Sequence, residues 1–170
     1  MSSEDVTIIS IAGKQNAGKT TLIRDLIPKL KEHGYTVGTL KYNIRKFDID
    51  HEGKDTYKYY HSGADSVALS SQDTLAVVKK VPEPLKLNEI IEAHLNDVSF
   101  VLVEGYRKDD YPTIRIVDTQ ETKTVKDSDK ELLLIKDNPE TKRFSATNVK
   151  KALDFIEKKF KCNKISKKNA

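Results

Sequence analysis

Eight consecutive residues near the start of the chain have the types and spacing of a loop that binds phosphate. They read Gly13-Lys14-Gln15-Asn16-Ala17-Gly18-Lys19-Thr20 and match the pattern G-x-x-x-x-G-K-[S/T] throughout. The two glycines permit backbone angles that turn the intervening N–H groups towards an anion. Lys19 can pair with the β and γ phosphates of a nucleoside triphosphate, and the Thr20 hydroxyl can bind Mg²⁺.

The predicted nucleotide-binding residues extend one position past this phosphate-binding loop (P-loop). They are Gly13, Lys14, Gln15, Asn16, Ala17, Gly18, Lys19, Thr20 and Thr21. Two interpretations of Lys14 stay open: a plain exposed lysine, or a cation that reaches the nucleotide of a second copy of the chain. Lys19 is also predicted to be catalytic, because its charge would stabilise a transferring phosphoryl group.

A carboxylate at the end of a buried strand is the second candidate group. Phe100-Val101-Leu102-Val103 is a continuous apolar run, typical of a strand covered on both faces in a parallel sheet, and Glu104 follows it. Ligands collect at the carboxyl ends of such strands. Glu104 is therefore predicted to bind Mg²⁺, directly or through water, and to act in catalysis by orienting the attacking water. The alternative is a carboxylate that faces solvent beside Gly105 and Arg107.

A polar segment after the second predicted strand supplies the third candidate, Asp50. Acidic and basic residues surround it, so several oxygen ligands and a cation are close to one another in sequence. Asp50 is predicted as a metal ligand and as a catalytic residue that orients water. The alternative is that Asp50 or Glu52 caps the next helix. The four histidines share no ligand spacing, which argues against a histidine metal site.

Strands and helices alternate through most of the chain, and this alternation must position the three candidates. It predicts an α/β protein with the three-layer P-loop NTPase fold and a mainly parallel sheet. An extra β-hairpin is possible at two places, over 66–79 with a turn at Gln72-Asp73, or within the charged segment 118–130. Predicted strands are 6–11, 36–41, 66–70, 75–79, 100–103, 113–117 and 132–135; predicted helices begin near Lys19 and cover 55–61, 85–95 and 152–160.

Length and charge bound the domain organisation. The 170 residues are enough for one domain, predicted over 1–160, followed by a basic tail over 161–170 that we expect to be disordered. Six lysines lie in Glu157–Ala170 against one glutamate. Because aromatic residues beyond Phe160 do not interleave with these lysines, the run favours a solvated tail over a nucleic-acid interface.

Cysteine content and hydropathy exclude several classes of protein. Cys162 is the single cysteine, so neither an intramolecular disulfide nor a cysteine-based zinc site can form within one chain. The longest apolar runs are far shorter than the roughly 20 residues of a membrane span, and the first residues lack the pattern of a signal peptide. These features predict a soluble, cytoplasmic protein with no membrane partner.

Several segments together resemble the MobB family, the molybdopterin-guanine dinucleotide biosynthesis proteins B. The matching segments occur in the order of that family and cover most of residues 6–156. They are Gly13 to Leu22 (GKQNAGKTTL), Thr39-Leu40-Lys41, Asp48-Ile49-Asp50, Glu52 to Tyr57, Ser62-Gly63-Ala64, and Leu102 to Arg107. The segments around Gly53-Lys54-Asp55 and Val103-Glu104-Gly105 make the resemblance much more specific than the P-loop does.

The resemblance implies a GTP-binding homodimer that hydrolyses GTP slowly with Mg²⁺. It also implies that the protein assists a MobA-type guanylyltransferase in attaching GMP to molybdopterin, with molybdopterin itself as a possible ligand. By motif position, Gly13 to Thr21 would bind the nucleotide phosphates, and Thr20 and Glu104 would serve Mg²⁺. Asp50, Lys54 and Asp55 would face the active site. The chain departs from the family at Tyr42-Asn43-Ile44-Arg45, where family members often carry histidines.

A second function class uses the same P-loop. A small-molecule or nucleotide kinase using ATP would need an acceptor pocket and usually a mobile lid rich in arginines. The arginines of this chain are scattered, which counts against that alternative. The residues alone do not favour guanine over adenine, since no base-reading motif is present.

Overall fold

The computed structural model describes the backbone of residues 6–44, 47, 50–106, 108, 110–117, 132–136 and 144–168. Within these ranges the backbone alone is described for 132, 136 and 161–168. The predicted hairpin or loop over 118–130 lies outside the described residues, as do Asp48, Ile49 and Arg107 of the family segments. In chain order the elements are β1 (Thr7–Gly13), α1 (Lys19–Glu32), β2 (Val37–Lys41), α2 (Asp55–His61), β3 (Ser66–Ser70), β4 (Leu75–Lys79), α3 (Leu87–His94), β5 (Phe100–Glu104), β6 (Thr113–Val117), β7 (Leu132–Lys136) and α4 (Ala146–Lys168).

The chain divides into two compact units. The larger unit consists of Met1–Asn43 and Leu87–Ala170, and the smaller one is the segment Ile44–Lys86. The single domain predicted over residues 1–160 and the disordered tail predicted over 161–170 stay predictions, although the described backbone continues α4 as far as Lys168.

The larger unit is built on a five-stranded sheet with the order β2-β5-β1-β6-β7. All four strand pairs are parallel. The prediction of a mainly parallel α/β sheet is confirmed. The order matters for the site, because β5, which ends at Glu104, lies directly beside β1, which leads into the P-loop.

Side chains alternate between the two faces of this sheet and meet different helices. Ile9 and Ile11 of β1 pack in one cluster with the apolar stripe of α1 and with α4, and α1 contributes Leu22, Ile23, Leu26 and Leu30. On the opposite face, Val101 and Val103 of β5 pack against Leu87 and Ile91 of α3. Because apolar side chains leave water on both faces, the sheet is the middle layer of three.

The smaller unit contains α2 and an antiparallel hairpin of β3 and β4. The hairpin pairs Ser66 with Lys79 at one end and Ser70 with Leu75 at the other. Its turn is closed by a hydrogen bond from the Ser71 N–H to the Thr74 carbonyl oxygen, 2.8 Å. The predicted extra hairpin is therefore confirmed at 66–79.

Candidate functional site

The P-loop connects β1 to α1 as the motif requires. Gly18 is the N-cap of α1, and the Leu22 N–H donates to its carbonyl oxygen at 2.9 Å. The backbone of Gly18 has a φ of 85°, in the left-handed region that side chains with a Cβ rarely adopt. Glycine at this position therefore sets the angle at which the loop enters the helix. The first turn of α1 has N–H groups without helical partners and a positive dipole end, which together can bind an anion.

Lys19 spans the loop. Its ammonium group donates to the carbonyl oxygen of Lys14 at 2.7 Å and to that of Gly13 at 3.3 Å. These bonds hold the positive charge over the ring of backbone formed by the loop. A phosphate group bound by the loop amides would meet this charge directly.

Thr20 and Glu104 are 84 residues apart in sequence and in contact in the structure. The Thr20 hydroxyl donates to Oε2 of Glu104 at 3.1 Å. The contact depends on the sheet order, because β1 and β5 are paired with Ile11 opposite Glu104. A hydroxyl and a carboxylate oxygen are the hard donors that Mg²⁺ prefers, so this pair fits the metal.

Mg²⁺ at this pair would take its other ligands from elsewhere. Within the part of the chain that the structure describes, no three His, Cys, Asp or Glu side chains come together as a metal site. Mg²⁺ commonly keeps several waters and binds substrate phosphates through one or two protein ligands. The donor set at Thr20 and Glu104 is therefore the kind that operates together with a bound nucleotide.

The backbone after Glu104 is fixed by the end of β2. The Tyr42 N–H donates to the Glu104 carbonyl oxygen at 2.8 Å. Gly105 has a φ of 92°, and a Cβ built there would lie 2.4 Å from the Tyr42 carbonyl oxygen. No side chain fits at that distance, so Gly105 permits the two segments to cross closely. This crossing positions the Glu104 backbone relative to the P-loop.

A group of tyrosines surrounds this crossing. The ring of Tyr106 lies 5.8 Å from that of Tyr42 and 5.5 Å from that of Tyr111, measured between centroids. The Tyr106 hydroxyl donates to Asp110 at 2.8 Å. Burial, followed by that hydrogen bond, raises the pKa of Tyr106 to about 12. The sequence patterns assigned no role to Tyr42 or Tyr111; their position beside a strand end was the available signal.

Asp50 lies in the smaller unit, where its own contacts are clear. Its carboxylate accepts a hydrogen bond from the His51 N–H at 2.8 Å and another from the Thr56 hydroxyl in the first turn of α2. The Thr56 bond, and then the His51 bond, lower the pKa of Asp50. These contacts favour the alternative that Asp50 stabilises the start of α2, while its role as a metal ligand stays a prediction.

Lys54 and Asp55 flank the same helix start. Lys54 is the N-cap of α2 but makes no side-chain capping bond. Asp55 forms an ion pair with Lys58 at 3.2 Å, and both side chains are largely exposed. An exposed pair of this kind stabilises a helix by only a few tenths of a kcal/mol.

The predicted nucleotide-binding residues run from the last residue of β1 through the loop into the first turn of α1, all in the larger unit. Lys14, Gln15, Asn16 and Thr20 are exposed, whereas Ala17, Gly18, Lys19 and Thr21 are partly buried. The structure brings Gly13, Lys14, Lys19 and Thr20 together with Glu104. Phe144, absent from the sequence-based candidates, also lies against this loop.

The fold and the loop define an α/β protein of the P-loop NTPase type. The family model "Molybdopterin guanine dinucleotide synthesis protein B", MobB, matches residues 8–138, and the chain belongs to this family. The resemblance inferred from the sequence segments is therefore confirmed.

Three relatives give the extent of the similarity. The molybdopterin-guanine dinucleotide biosynthesis adapter protein of Haemophilus influenzae is 27% identical over 137 residues, which are 80% of this chain and 77% of that protein. The adapter protein of the same name from Escherichia coli is 30% identical over 112 residues, 64% of each protein. A crystal structure of molybdopterin-guanine biosynthesis protein B has a TM-score of 0.68 and 30% identity, covering 91% of this chain and 99% of that one.

Proposed function

We propose that the protein is a GTP-binding adapter in molybdenum cofactor biosynthesis, which assists a guanylyltransferase of the MobA type in attaching GMP to molybdopterin. The contact between Thr20 and Glu104 beside the P-loop is the observation that carries the nucleotide part of this proposal. The names of the curated relatives support the biosynthetic part, since both are adapter proteins of molybdopterin-guanine dinucleotide biosynthesis.

Mg²⁺ would be held by the Thr20 hydroxyl and the Glu104 carboxylate. When bound, it would neutralise charge that develops on the β and γ phosphates. Lys19 and the backbone amides of the loop would bind and orient the same phosphates. Glu104 would in addition orient the attacking water, which is a positioning role that requires a deprotonated carboxylate.

Hydrolysis by this set of residues is expected to be slow. The described contacts of the site join Lys19 to the Gly13 and Lys14 carbonyl oxygens and Thr20 to Glu104, and none of them brings an arginine to this group. An arginine supplied to the transition state accelerates GTP hydrolysis by 10³–10⁵ in P-loop proteins. We therefore infer a weak GTPase whose bound nucleotide serves mainly to organise the protein, as a homodimer, for its partner.

The experiment that tests this function is a reconstituted transfer of GMP to molybdopterin by the guanylyltransferase. Product is measured with the wild-type chain, with Lys19→Ala, and with Lys31→Ala as a control for a lysine removed elsewhere on α1. The proposal predicts that the wild type and the control raise product formation, whereas Lys19→Ala does not. Equal product with and without the wild-type chain would contradict the adapter role.

A further inference from the structure

Phe144 lies against the P-loop although the phosphate-binding motif does not include it. The residue directly precedes Ser145 and α4. A Cβ built on Gly18 would lie 3.2 Å from both Cε2 and Cζ of the Phe144 ring. The edge of the ring is therefore packed closely against the last loop residue before Lys19.

The start of α4 fixes Phe144 in this place. The Ser145 hydroxyl accepts a hydrogen bond from the Asn148 N–H at 3.2 Å, and the Ser145 carbonyl oxygen accepts one from the Val149 N–H at 3.1 Å. Ser145 thus acts as an N-cap, with Phe144 and Val149 at the two positions of a hydrophobic staple. Both of these side chains are partly buried and pack against the core cluster shared by α1, α4 and the sheet.

The candidate Mg²⁺ ligands Thr20 and Glu104 and the residue Phe144 lie on different sides of the P-loop. Glu104 approaches Thr20 from β5, on one side of β1. The strands β6 and β7 lie on the other side, and α4, which packs on β7, β1 and α1, brings Phe144 to Gly18. The candidate Mg²⁺ pair therefore lies on the β5 side of the P-loop, whereas Phe144 lies against the loop from the α4 side, where a nucleotide held at Thr20 and Glu104 by its phosphates would have room to place its nucleoside next to the ring.

We propose that Phe144 contacts the nucleoside of the bound nucleotide and contributes to nucleotide affinity through an aromatic surface at the end of the P-loop. The partial exposure of its side chain leaves ring surface for a ligand. Aromatic side chains bind flat bases by stacking, and such contacts are tolerant of base identity because every base has a π-face. This proposal rests on the proposed nucleotide binding, but it applies to guanine and adenine alike.

Tryptophan fluorescence provides a direct test, because the chain contains no tryptophan. Phe144→Trp introduces a single reporter beside the loop, and Phe155→Trp places the same reporter on α4. Each variant is titrated with Mg²⁺·GTP and with inorganic tripolyphosphate, which carries the phosphates without a nucleoside. We expect GTP to change the emission of Phe144→Trp much more than tripolyphosphate does, and to leave Phe155→Trp nearly unchanged.

The affinities of wild type and Phe144→Leu are then measured for GTP and for tripolyphosphate. The comparison distinguishes a contact with the nucleoside from a role in supporting the loop. The expected result is a loss of about tenfold in GTP affinity with tripolyphosphate affinity unchanged. Equal losses for the two ligands, or no loss for either, would overturn the proposal. If ATP binds in place of GTP and shows the expected pattern, the nucleoside contact stands and the proposed guanine preference fails.

Discussion

At the scale of single residues, the pairing of Thr20 with Glu104 turns a common phosphate loop into a candidate Mg²⁺ site. Thr20 comes from the loop motif and Glu104 from the end of a strand that is distant in sequence, and their side chains meet at 3.1 Å. Each contributes one oxygen, so neither residue is expected to hold the metal without the other and the nucleotide phosphates.

Replacing Glu104 by glutamine tests this assignment with little change in shape. We expect Glu104→Gln to reduce the gain in GTP affinity that Mg²⁺ provides by about 10–100-fold, because the variant loses the negative charge near the metal. GTP titrations with and without Mg²⁺ measure the gain. Glu92→Gln, at an exposed position on α3, is the matched control. A full Mg²⁺ effect in Glu104→Gln would refute the role of Glu104.

Asp50 gives a prediction about pH. Because the Thr56 and His51 hydrogen bonds lower the folded-state pKa of Asp50, the ionised carboxylate stabilises the folded unit at pH values above the ordinary pKa of an unfolded aspartate. That contribution is lost as the pH falls through the lower folded-state pKa. Asp50→Asn should therefore reduce hydrogen-exchange protection of the α2 amides at pH 7, and the difference from wild type should shrink in acid.

The control for this prediction is Asp65→Asn, which removes the charge of another exposed aspartate of the same unit. A difference between Asp50→Asn and wild type that stays constant down to acid pH would contradict the account. If Asp50→Asn also leaves Mg²⁺-dependent GTP binding and hydrolysis unchanged, Asp50 has only the structural role.

At the scale of elements, the site depends on how closely β2 and β5 approach at their carboxyl ends. The backbones of Tyr42 and Gly105 cross so tightly that a Cβ on Gly105 would lie 2.4 Å from the Tyr42 carbonyl oxygen. Because the Tyr42 N–H also donates to the Glu104 carbonyl oxygen, displacement of this crossing would move the residue that faces Thr20.

Gly105→Ala is expected to destabilise the protein by about 2–5 kcal/mol. Roughly 1–2 kcal/mol comes from the left-handed backbone and the rest from overpacking against Tyr42. Gly34→Ala is the control, since Gly34 has a φ of 81° but nothing within 4 Å of its built Cβ. Urea unfolding should show a clearly larger loss for Gly105→Ala, and equal losses would refute the steric part of the explanation.

The sequence was informative wherever a local pattern decides the structure. The glycines and Lys19 of the loop predicted a strand-loop-helix unit, and the apolar run before Glu104 predicted a buried parallel strand, because both signals depend on neighbouring residues. The contact between Thr20 and Glu104 could not be predicted from a local sequence pattern. It requires β5 to lie beside β1, and strand order depends on packing of the whole sheet.

Two further features, the start of α4 and the position of Phe144, could not be predicted from local sequence patterns. The helix α4 begins at Ala146, six residues before the apolar stripe that predicted it, because the Ser145 cap determines where it starts. The placement of Phe144 against Gly18 follows from that start and from the packing of α4 on α1. A hydrophobic residue directly before a serine cap was the available signal.

At the scale of the whole molecule, the P-loop and Glu104 belong to the larger unit, whereas Asp50, Lys54 and Asp55 belong to the smaller one. No helix in the described ranges is long and apolar enough to span a membrane. Because the P-loop and Glu104 both lie in the larger unit, nucleotide binding is expected to stabilise that unit through contacts made by Lys19, Thr20 and Glu104.

Ligand-dependent stability gives the prediction at this scale. Mg²⁺·GTP at about 100 times its dissociation constant should stabilise the folded protein by about 2.7 kcal/mol. For a chain of this size, that corresponds to a rise in the thermal unfolding midpoint of about 5–10 °C, measured by calorimetry. The rise should be absent in Lys19→Ala and present in Lys31→Ala. A shift of equal size in Lys19→Ala would place the nucleotide somewhere other than the P-loop.

Calorimetric titration shows whether the P-loop binds GTP together with Mg²⁺. Wild type, Lys19→Ala and Lys31→Ala are each titrated with GTP and with ATP, in the presence and absence of Mg²⁺. We expect the wild type and Lys31→Ala to bind GTP in preference to ATP in a Mg²⁺-dependent way, and Lys19→Ala to lose this binding. Preference for ATP would favour a kinase, and binding that survives in Lys19→Ala would contradict the assignment of the site.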